Sequence, residues 1–599
     1  MSLLGPGFTP STHDEWLVAV EQALKGADLE SLKSEEPGGL KREPLYYQTT
    51  DQADLDQTSL PGHAPFTRGT TATLDPYRPW HIAQRVQIGR KGSDNNSIIN
   101  DLRGGVSALL IDLSNQAPDA NTLAKLLDGV MLDIAPISLI PGANISASME
   151  TLDGVFKTQS IPHESQVGFL NADPIGTSIR ADKPCDRSDL TKTITDVFNW
   201  GQDRPNMSLM TASSIAVHEA GASLELELAV ILGSLVEMMR ACESTNVDVQ
   251  ALIDKTTISL SANVDFFATI AKTRATRLLW SQLLEHCGLN PTPPKLHMET
   301  SESCFSNVDP WVNILRASIS AMAAGIAGVD VLTVAPCTAT SDGDNDLTRR
   351  IARNTQVIMQ EESHIGKTID PAGGSWFVED ATRKLAQQAW KAFQDIEAEG
   401  GLIIALQNGT IRRQIQSCNQ TMQSRYAKRD SAMIGVTEFP NLDEAPLTPR
   451  PTRGSGNYQE TRPASAFEAL RNSAEPTKPK VYLANIGSTS NFTARANFAA
   501  NLYAIGGIHS VSGNGGEAVD AIISEFKKSG AKIACVCAAE KDYEIFAQPI
   551  VDALIDAGAI HVSLAGKAKD INGVEDYAFA GCDALAFAEN IHKTLGLGV

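Results

Sequence analysis

The sequence predicts an α/β protein: an eight-fold (β/α)8 TIM barrel followed by a smaller, doubly wound domain. Three observations predict it. From about Pro44, short apolar runs alternate with amphipathic helical stretches over roughly 400 residues, the pattern of parallel strands joined by crossover helices. Near residue 437 the composition turns to proline and polar residues, and after residue 480 the alternation resumes. With 599 residues the chain also exceeds the roughly 250–300 at which a single core stops growing.

Residues 1–43 read as an N-terminal arm with one amphipathic helix, about His13–Lys25, offering Trp16, Val18, Ala19 and Leu24 for burial. Glycine and charge break the pattern at Glu35–Lys41. A lone helix cannot bury its own apolar face, so the arm is expected to dock on another domain or chain. Residues 44–436 carry candidate strands at Val106–Ile111, Ile137–Ile140, Gln166–Asn171, Leu209–Ala212, Ile258–Ala262, Lys295–Glu299 and Val329–Val334. Candidate helices are Asp189–Trp200, Glu219–Arg240, Asp265–Glu285, Trp311–Gly325, Leu347–Glu362 and Ala381–Glu399. The length suits an eight-fold barrel, with an open doubly wound sheet as the alternative. Residues 437–479 read as an extended linker with a short helix at Ala464–Asn472. Residues 480–599 carry strands at Val481–Asn485, Ile508–Val511, Ile533–Ala538 and His561–Leu564, with helices at Phe492–Ile505, Glu517–Ser529 and Tyr543–Ala557. Ligands in such a domain sit at the carboxyl ends of the strands, here near Asn485–Ser490 and Ala538–Lys541.

Composition excludes several classes. A net charge of −21 disfavours nucleic-acid binding, because phosphates need Lys and Arg to displace their counterions. No apolar run approaches the roughly 20 residues of a membrane span, and the start MSLLGPGFTPSTHDEW lacks the regions of a secretory signal. Nine scattered cysteines read as reduced thiols, which points to a cytoplasmic location. Cys535 and Cys537 share one face of a buried strand.

Local motifs are weak. Val217–Ala222 (VHEAGA) has Ala222 where a zinc helix of the HExxH type needs its second histidine. His218 and Glu219 are expected to end a strand and open the next helix. No glycine cluster forms a dinucleotide or phosphate loop, and no nucleophile elbow is present. Arg349, Arg350, Arg353 and Asn354, like Arg274 and Arg277, read as solvated or salt-bridged helix faces rather than a phosphate site.

Longer segments carry more. In order along the chain stand EWLVAVEQALKG, REPLYY, Arg78–Arg85 (RPWHIAQR), His218–Ser223 (HEAGAS), Val264–Trp280, Arg350–Ser363 (RIARNTQVIMQEES) and Asp370–Glu379 (DPAGGSWFVE). Together they resemble the methylmalonyl-CoA mutase family. The resemblance implies a (β/α)8 barrel that binds a CoA ester along its axis and a flavodoxin-like cobalamin domain. It also implies an isomerase using adenosylcobalamin radical chemistry, in which protein groups orient and shield while the cofactor reacts.

At the positions that this chemistry needs, the chain departs from the family. The cobalt-binding D-x-H-x-x-G signature falls on Ala484, Asn485, Ile486, Gly487, Ser488 and Thr489. The serine-bearing turn falls on VCAAEK and the paired glycines on Ala565-Gly566. In the barrel, a Tyr-His pair falls on Ile215-Ala216, a tyrosine falls on Arg85, and an RTH strand end reads Lys295-Leu296-His297. The pattern resembles the small (β) subunit of the heterodimeric enzyme. That resemblance implies a non-catalytic structural chain, with no catalytic, cofactor-binding or metal residue carried over. Its partner would be a large (α) catalytic subunit holding adenosylcobalamin and interconverting methylmalonyl-CoA and succinyl-CoA. The rival expectations are a repurposed acyl-CoA-binding or recruitment module and an active mutase with an unusual cobalamin mode.

Overall fold

The computed structural model describes residues 11–35, 41–47, 60–90, 93–115, 117–444 and 446–598. The glycine-bearing break at 36–40 and the extreme start, residues 1–10, lie outside them. Eight parallel strands close into a barrel: β1 His81–Gln87, β2 Ala108–Asp112, β3 Ile137–Ile140, β4 Gly168–Ala172, β5 Met207–Ser213, β6 Thr256–Ala262, β7 Lys295–Thr300 and β8 Val331–Thr333. Val331 of β8 pairs with His81 on one side and His297 on the other, which completes the ring.

Each strand divides its side chains between two environments. Ile82 and Val86 join the large core between strands and helices, whereas Arg85 and Gln87 face the lumen. Leu109 and Ile111 likewise pack outward, and Asp112 lines the lumen. Each fully buried Leu or Ile in that outer layer contributes about 1.5–3 kcal/mol. The fold therefore rests on the strand–helix layer and leaves the lumen free to be polar.

Seven of these strands coincide with the sequence expectation, and β1 does not appear in it. The reason is visible in HIAQRVQ, whose apolar positions alternate with Gln84 and Arg85 and form no continuous run. The helix expected at Glu219–Arg240 is also corrected. β5 ends at Ser213, Ile215–Glu219 is a separate short helix, and Gly221 at φ +97° turns the chain before the helix Leu224–Cys242. Glu219 thus closes a helix rather than opening one, and no strand ends at His218.

The second sheet contains β9 Lys480–Asn485, β10 His509–Ser512, β11 Ile533–Cys537, β12 His561–Leu564 and β13 Asp576–Tyr577. All pairs are parallel, in the order β10-β9-β11-β12-β13. Cys535 and Cys537 do share one face, buried in a common cluster with Tyr503. The two-residue β13 lies beyond the four strands the sequence suggested.

The proline-rich segment before this sheet is pinned to the barrel. Arg450 N–H donates to Thr340 O at 3.0 Å, Ser455 N–H to Arg180 O at 3.0 Å, and Thr461 N–H to Glu219 O at 2.8 Å. It crosses the carboxyl end of the barrel before the helix Ser465–Ala474. The arm helix His13–Leu24 starts with a capping box in which Thr12 and Glu15 satisfy each other's backbone N–H groups. None of its residues is buried. No helix among the described residues is long and apolar enough to cross a membrane.

Candidate functional site

The carboxyl ends of the barrel strands open into a cavity of about 750 Å3. Its wall carries the small hydroxyl residues Thr211, Ser213 and Ser259, with Arg85, His297 and Glu299. Two arginines from the proline-rich segment, Arg450 and Arg453, reach in from above.

These charges neutralise one another. Arg85 lies 2.5 Å from Glu299 and 3.6 Å from Glu302. Arg453 lies 2.9 Å from Glu302 and 3.2 Å from Glu219, which also meets Arg180 at 2.8 Å. Arg450 bridges Glu302 and Glu460, each at 2.9 Å. Burial alone would raise the Glu302 carboxyl, but Arg453, Arg450 and Arg85 outweigh it and hold it at about 2. Glu219 is lowered in the same way, by Arg180 and Arg453 against its burial. The mouth therefore presents fixed, paired charge.

Several other polar side chains are also engaged. His297 Nε2 lies 2.9 Å from Thr333 Oγ1, and burial lowers its pKa, so the ring is neutral at pH 7. His218 lies 2.8 Å from both Glu227 and Ser301, and Lys272 lies 2.8 Å from Glu227. Against the upward pull of burial, Lys272 and His218 hold Glu227 at about 2. One carboxyl behaves in the opposite way. Burial raises Asp173 to about 7, although its Oδ1 accepts the Gly176 N–H at 2.8 Å and Arg180 opposes the rise.

Of the arginines read as lying on solvated or salt-bridged faces, Arg349, Arg353 and Arg274 form ion pairs, Arg350 is exposed, and Arg277 is corrected to a buried side chain held by backbone carbonyls. Arg349 and Arg353 reach Asp101 at 2.6 and 3.3 Å. Arg274 meets Asp370 and Glu379, and Arg277 donates to the carbonyls of Ala327 and Gly328. Asp370 and Glu379 belong to the DPAGGSWFVE segment, so that most recognisable stretch is tied by buried ion pairs to the helix Phe266–His286.

The second candidate site is the carboxyl edge of the C-terminal sheet. Ile486 is fully buried beside Tyr482, Ala484 and Phe526, so it points into the strand–helix layer. Asn485 donates to Ser512 Oγ at 2.9 Å and Gly513 O at 2.8 Å. The turns Val536–Lys541 and Ala565-Gly566 are stitched together by Tyr543, whose hydroxyl accepts from Ala538 N–H at 3.1 Å and donates to Ala565 O at 2.7 Å. Beside them lies a groove of about 450 Å3, lined in part by Arg495, Phe498, Glu540 and Lys569. Arg495 lies 2.7 Å from Glu540 and stacks on the Tyr543 ring at 4.9 Å.

This edge does not suit an imidazole-ligated cobalt. His509 pairs with Lys480 and His561 with Ile533, which places both at the amino ends of their strands. His592 is buried in the helix Ala584–Leu595 and lies 2.7 Å from Gly506 O. Among the described residues no group of three His, Cys, Asp or Glu side chains is arranged to hold a metal ion.

Sequence reasoning pointed to Arg85, Ile215-Ala216 and His297, and the structure brings them to one cavity. It missed Asp173, Glu302, Arg450 and Arg453. The only available signal was the pair of arginines within PRPTRG, an unusual placement of charge in a spacer.

Comparison with known proteins completes the picture. The family model described as Methylmalonyl-CoA mutase matches residues 35–120 and 117–511. The chain is 32% identical to the methylmalonyl-CoA mutase small subunit of Streptomyces virginiae, covering 99% of this chain and 98% of that one. It is 30% identical to the small subunit of Propionibacterium freudenreichii subsp. shermanii, covering 95% and 91%. Against the mitochondrial methylmalonyl-CoA mutase of Mus musculus it is 29% identical over 71% of this chain and 61% of the relative. With a closed parallel barrel, a second parallel sheet and relatives matched over nearly its whole length, this chain belongs to the methylmalonyl-CoA mutase family.

Proposed function

We propose that this chain is a non-catalytic structural subunit of a heterodimeric methylmalonyl-CoA mutase. Its partner is a large subunit, which holds adenosylcobalamin and interconverts methylmalonyl-CoA and succinyl-CoA in the cytoplasm, within propionate metabolism. The C-terminal sheet, in the order β10-β9-β11-β12-β13, is a flavodoxin-like fold that has lost its cofactor role. Residues 1–43, 44–436, 437–479 and 480–599 form the arm, barrel, linker and degenerate cobalamin-type domain. No residue of this chain acts in catalysis, in cofactor binding or as a metal ligand.

The burial of Ile486 carries this reading: the position that would present an axial ligand is an apolar side chain turned into the core. Ile215 and Ala216, which can neither donate a proton nor shield a radical as Tyr and His would, support it from the barrel. So do Arg450 and Arg453, which cap the mouth from the linker.

A tagged pull-down from the native cytosol, assayed for adenosylcobalamin-dependent isomerisation of methylmalonyl-CoA, tests the proposal. A stoichiometric larger chain that brings cobalamin and activity is the expected result. Turnover by this chain alone would overturn it. The 750 Å3 cavity favours a second reading, retention of an acyl-CoA without turnover, and stoichiometric CoA-ester binding by this chain without activity would favour that instead.

A further inference from the structure

A barrel helix is ordinarily apolar on its inner stripe and polar outside. The helix Val312–Ile326 breaks this rule. Its only charged residue is Arg316, which is buried and donates to Asn313 Oδ1 at 2.6 Å and Ile434 O at 2.5 Å. Its outward face carries Trp311, Leu315, Ile319 and Met322, spaced four, four and three residues apart along one stripe. Leu315 is 69% exposed and Trp311 49%. Ile358, on the neighbouring helix Asp346–Glu361, and Ile434 are exposed to similar degrees. The helix Trp376–Ala398 shows the ordinary arrangement, with Arg383, Lys384, Lys391 and Asp395 on its outer face.

A helix that is apolar all round is buried on both sides. Such exposure over six large side chains leaves on the order of 500 Å2 of apolar surface, near the top of the range for the largest patch on a monomer. The stripe also continues. Ile326 at its end packs in a cluster with Phe266 and Phe377, Phe377 lies 5.0 Å from the Tyr46 ring, and adjacent Tyr47 stacks at 4.3 Å on His13 of the arm helix. That helix buries none of its own residues. Stripe and arm together approach the roughly 800 Å2 per partner of a stable interface, with the apolar character of obligate pairs.

We infer, on the reading that the chain pairs with a large subunit, that the outer face of the helix Val312–Ile326, continued by the arm, is the surface on which that large subunit docks. A second copy of this chain is the poorer occupant, because each copy brings a net charge of −21 to the contact.

The test co-expresses the full chain with the large subunit and compares wild type, the double variant Leu315→Glu/Ile319→Glu, and Lys391→Glu on the ordinary helix. Complex mass and dissociation constant are read by light scattering and titration, and the thermal transition of each variant alone checks folding. The double variant is expected to unfold at the wild-type temperature and to bind at least 100-fold more weakly, while Lys391→Glu binds normally. Wild-type affinity in the double variant would overturn the assignment and leave the pairing intact. Failure of the wild-type chain to bind the large subunit would overturn the pairing itself. A wild-type homodimer that the double variant splits would reassign the face to self-association. If the double variant is unfolded, Leu315→Ser/Ile319→Ser replaces it and is read against the same outcomes.

Discussion

Arg453 and Glu302, 151 positions apart in the chain, meet at 2.9 Å across the mouth of the barrel. The same guanidinium reaches Glu219, so a single linker side chain ties the loops after β5 and β7 to the segment leading into the second sheet. A stretch whose composition says spacer is therefore part of the barrel's upper wall.

Arg453→Ala is expected to destabilise the protein by about 2 kcal/mol, measured by urea unfolding followed through tryptophan fluorescence. Breaking a buried pair typically costs about 3–5 kcal/mol. Here Arg180 still faces Glu219, and Arg450 and Arg85 still face Glu302, which moderates the loss. An unchanged unfolding midpoint would mean that the bridge contributes nothing to stability.

Acid should weaken the fold through the same carboxylates. Glu302 and Glu227 titrate near 2 in the folded chain, below the ordinary 4.5, so their contribution is complete above pH 4.5 and disappears as the pH falls toward 2. Each is worth on the order of 3 kcal/mol at neutral pH by linkage. Glu302→Gln should be less stable than wild type at pH 6 and should lose less between pH 4.5 and 3. Parallel stability curves for the two proteins would rule out this account.

Asp173 has the opposite sign. Its folded pKa, about 7, lies above the ordinary 3.8, so the folded chain binds the extra proton and stability declines as the pH rises through that window. Asp173→Asn retains an acceptor for the Gly176 N–H and removes the ionisation. It should match wild type at pH 4 and exceed it by about 2 kcal/mol at pH 8, less than the full linkage value because the carboxyl borders an open cavity. Calorimetry at the two pH values decides, and an equal shift at both would reject the titration.

Ile486→His alone should not create a cobalamin site. The new ring would point into the layer of Tyr482, Ala484 and Phe526 rather than toward the strand ends, and the apolar packing lost should cost about 2–4 kcal/mol. Stoichiometric cobalamin uptake, followed by its visible absorption, would show that the edge is more intact than the buried side chain implies.

Much of the candidate site could be read from local residues. The apolar runs VLTV and ISLSA mark barrel strands because a parallel strand is covered on both faces. The shifts at Ile215-Ala216 and Ile486 are legible because a ligand or proton donor requires a specific side chain at a specific position. β1 was missed because a strand whose inner face lines a polar lumen forms no continuous apolar run. The break at Gly221 was missed because VHEAGASLE reads as helix on both sides of it, and only the backbone reveals φ +97°.

The sequence by itself determined the family, the alternation that builds two parallel-sheet units, and the residue types at the positions where the family's chemistry would lie. The tertiary structure alone decided that Arg450 and Arg453 cap the barrel, that Asp173 titrates apart from its neighbours, and that one barrel helix is apolar on its outer side. The physical reason is range. Strand and helix patterns are set by near neighbours, whereas charge pairing, desolvation and the exposure of a helix face depend on which distant segments the closed barrel brings within a few ångströms.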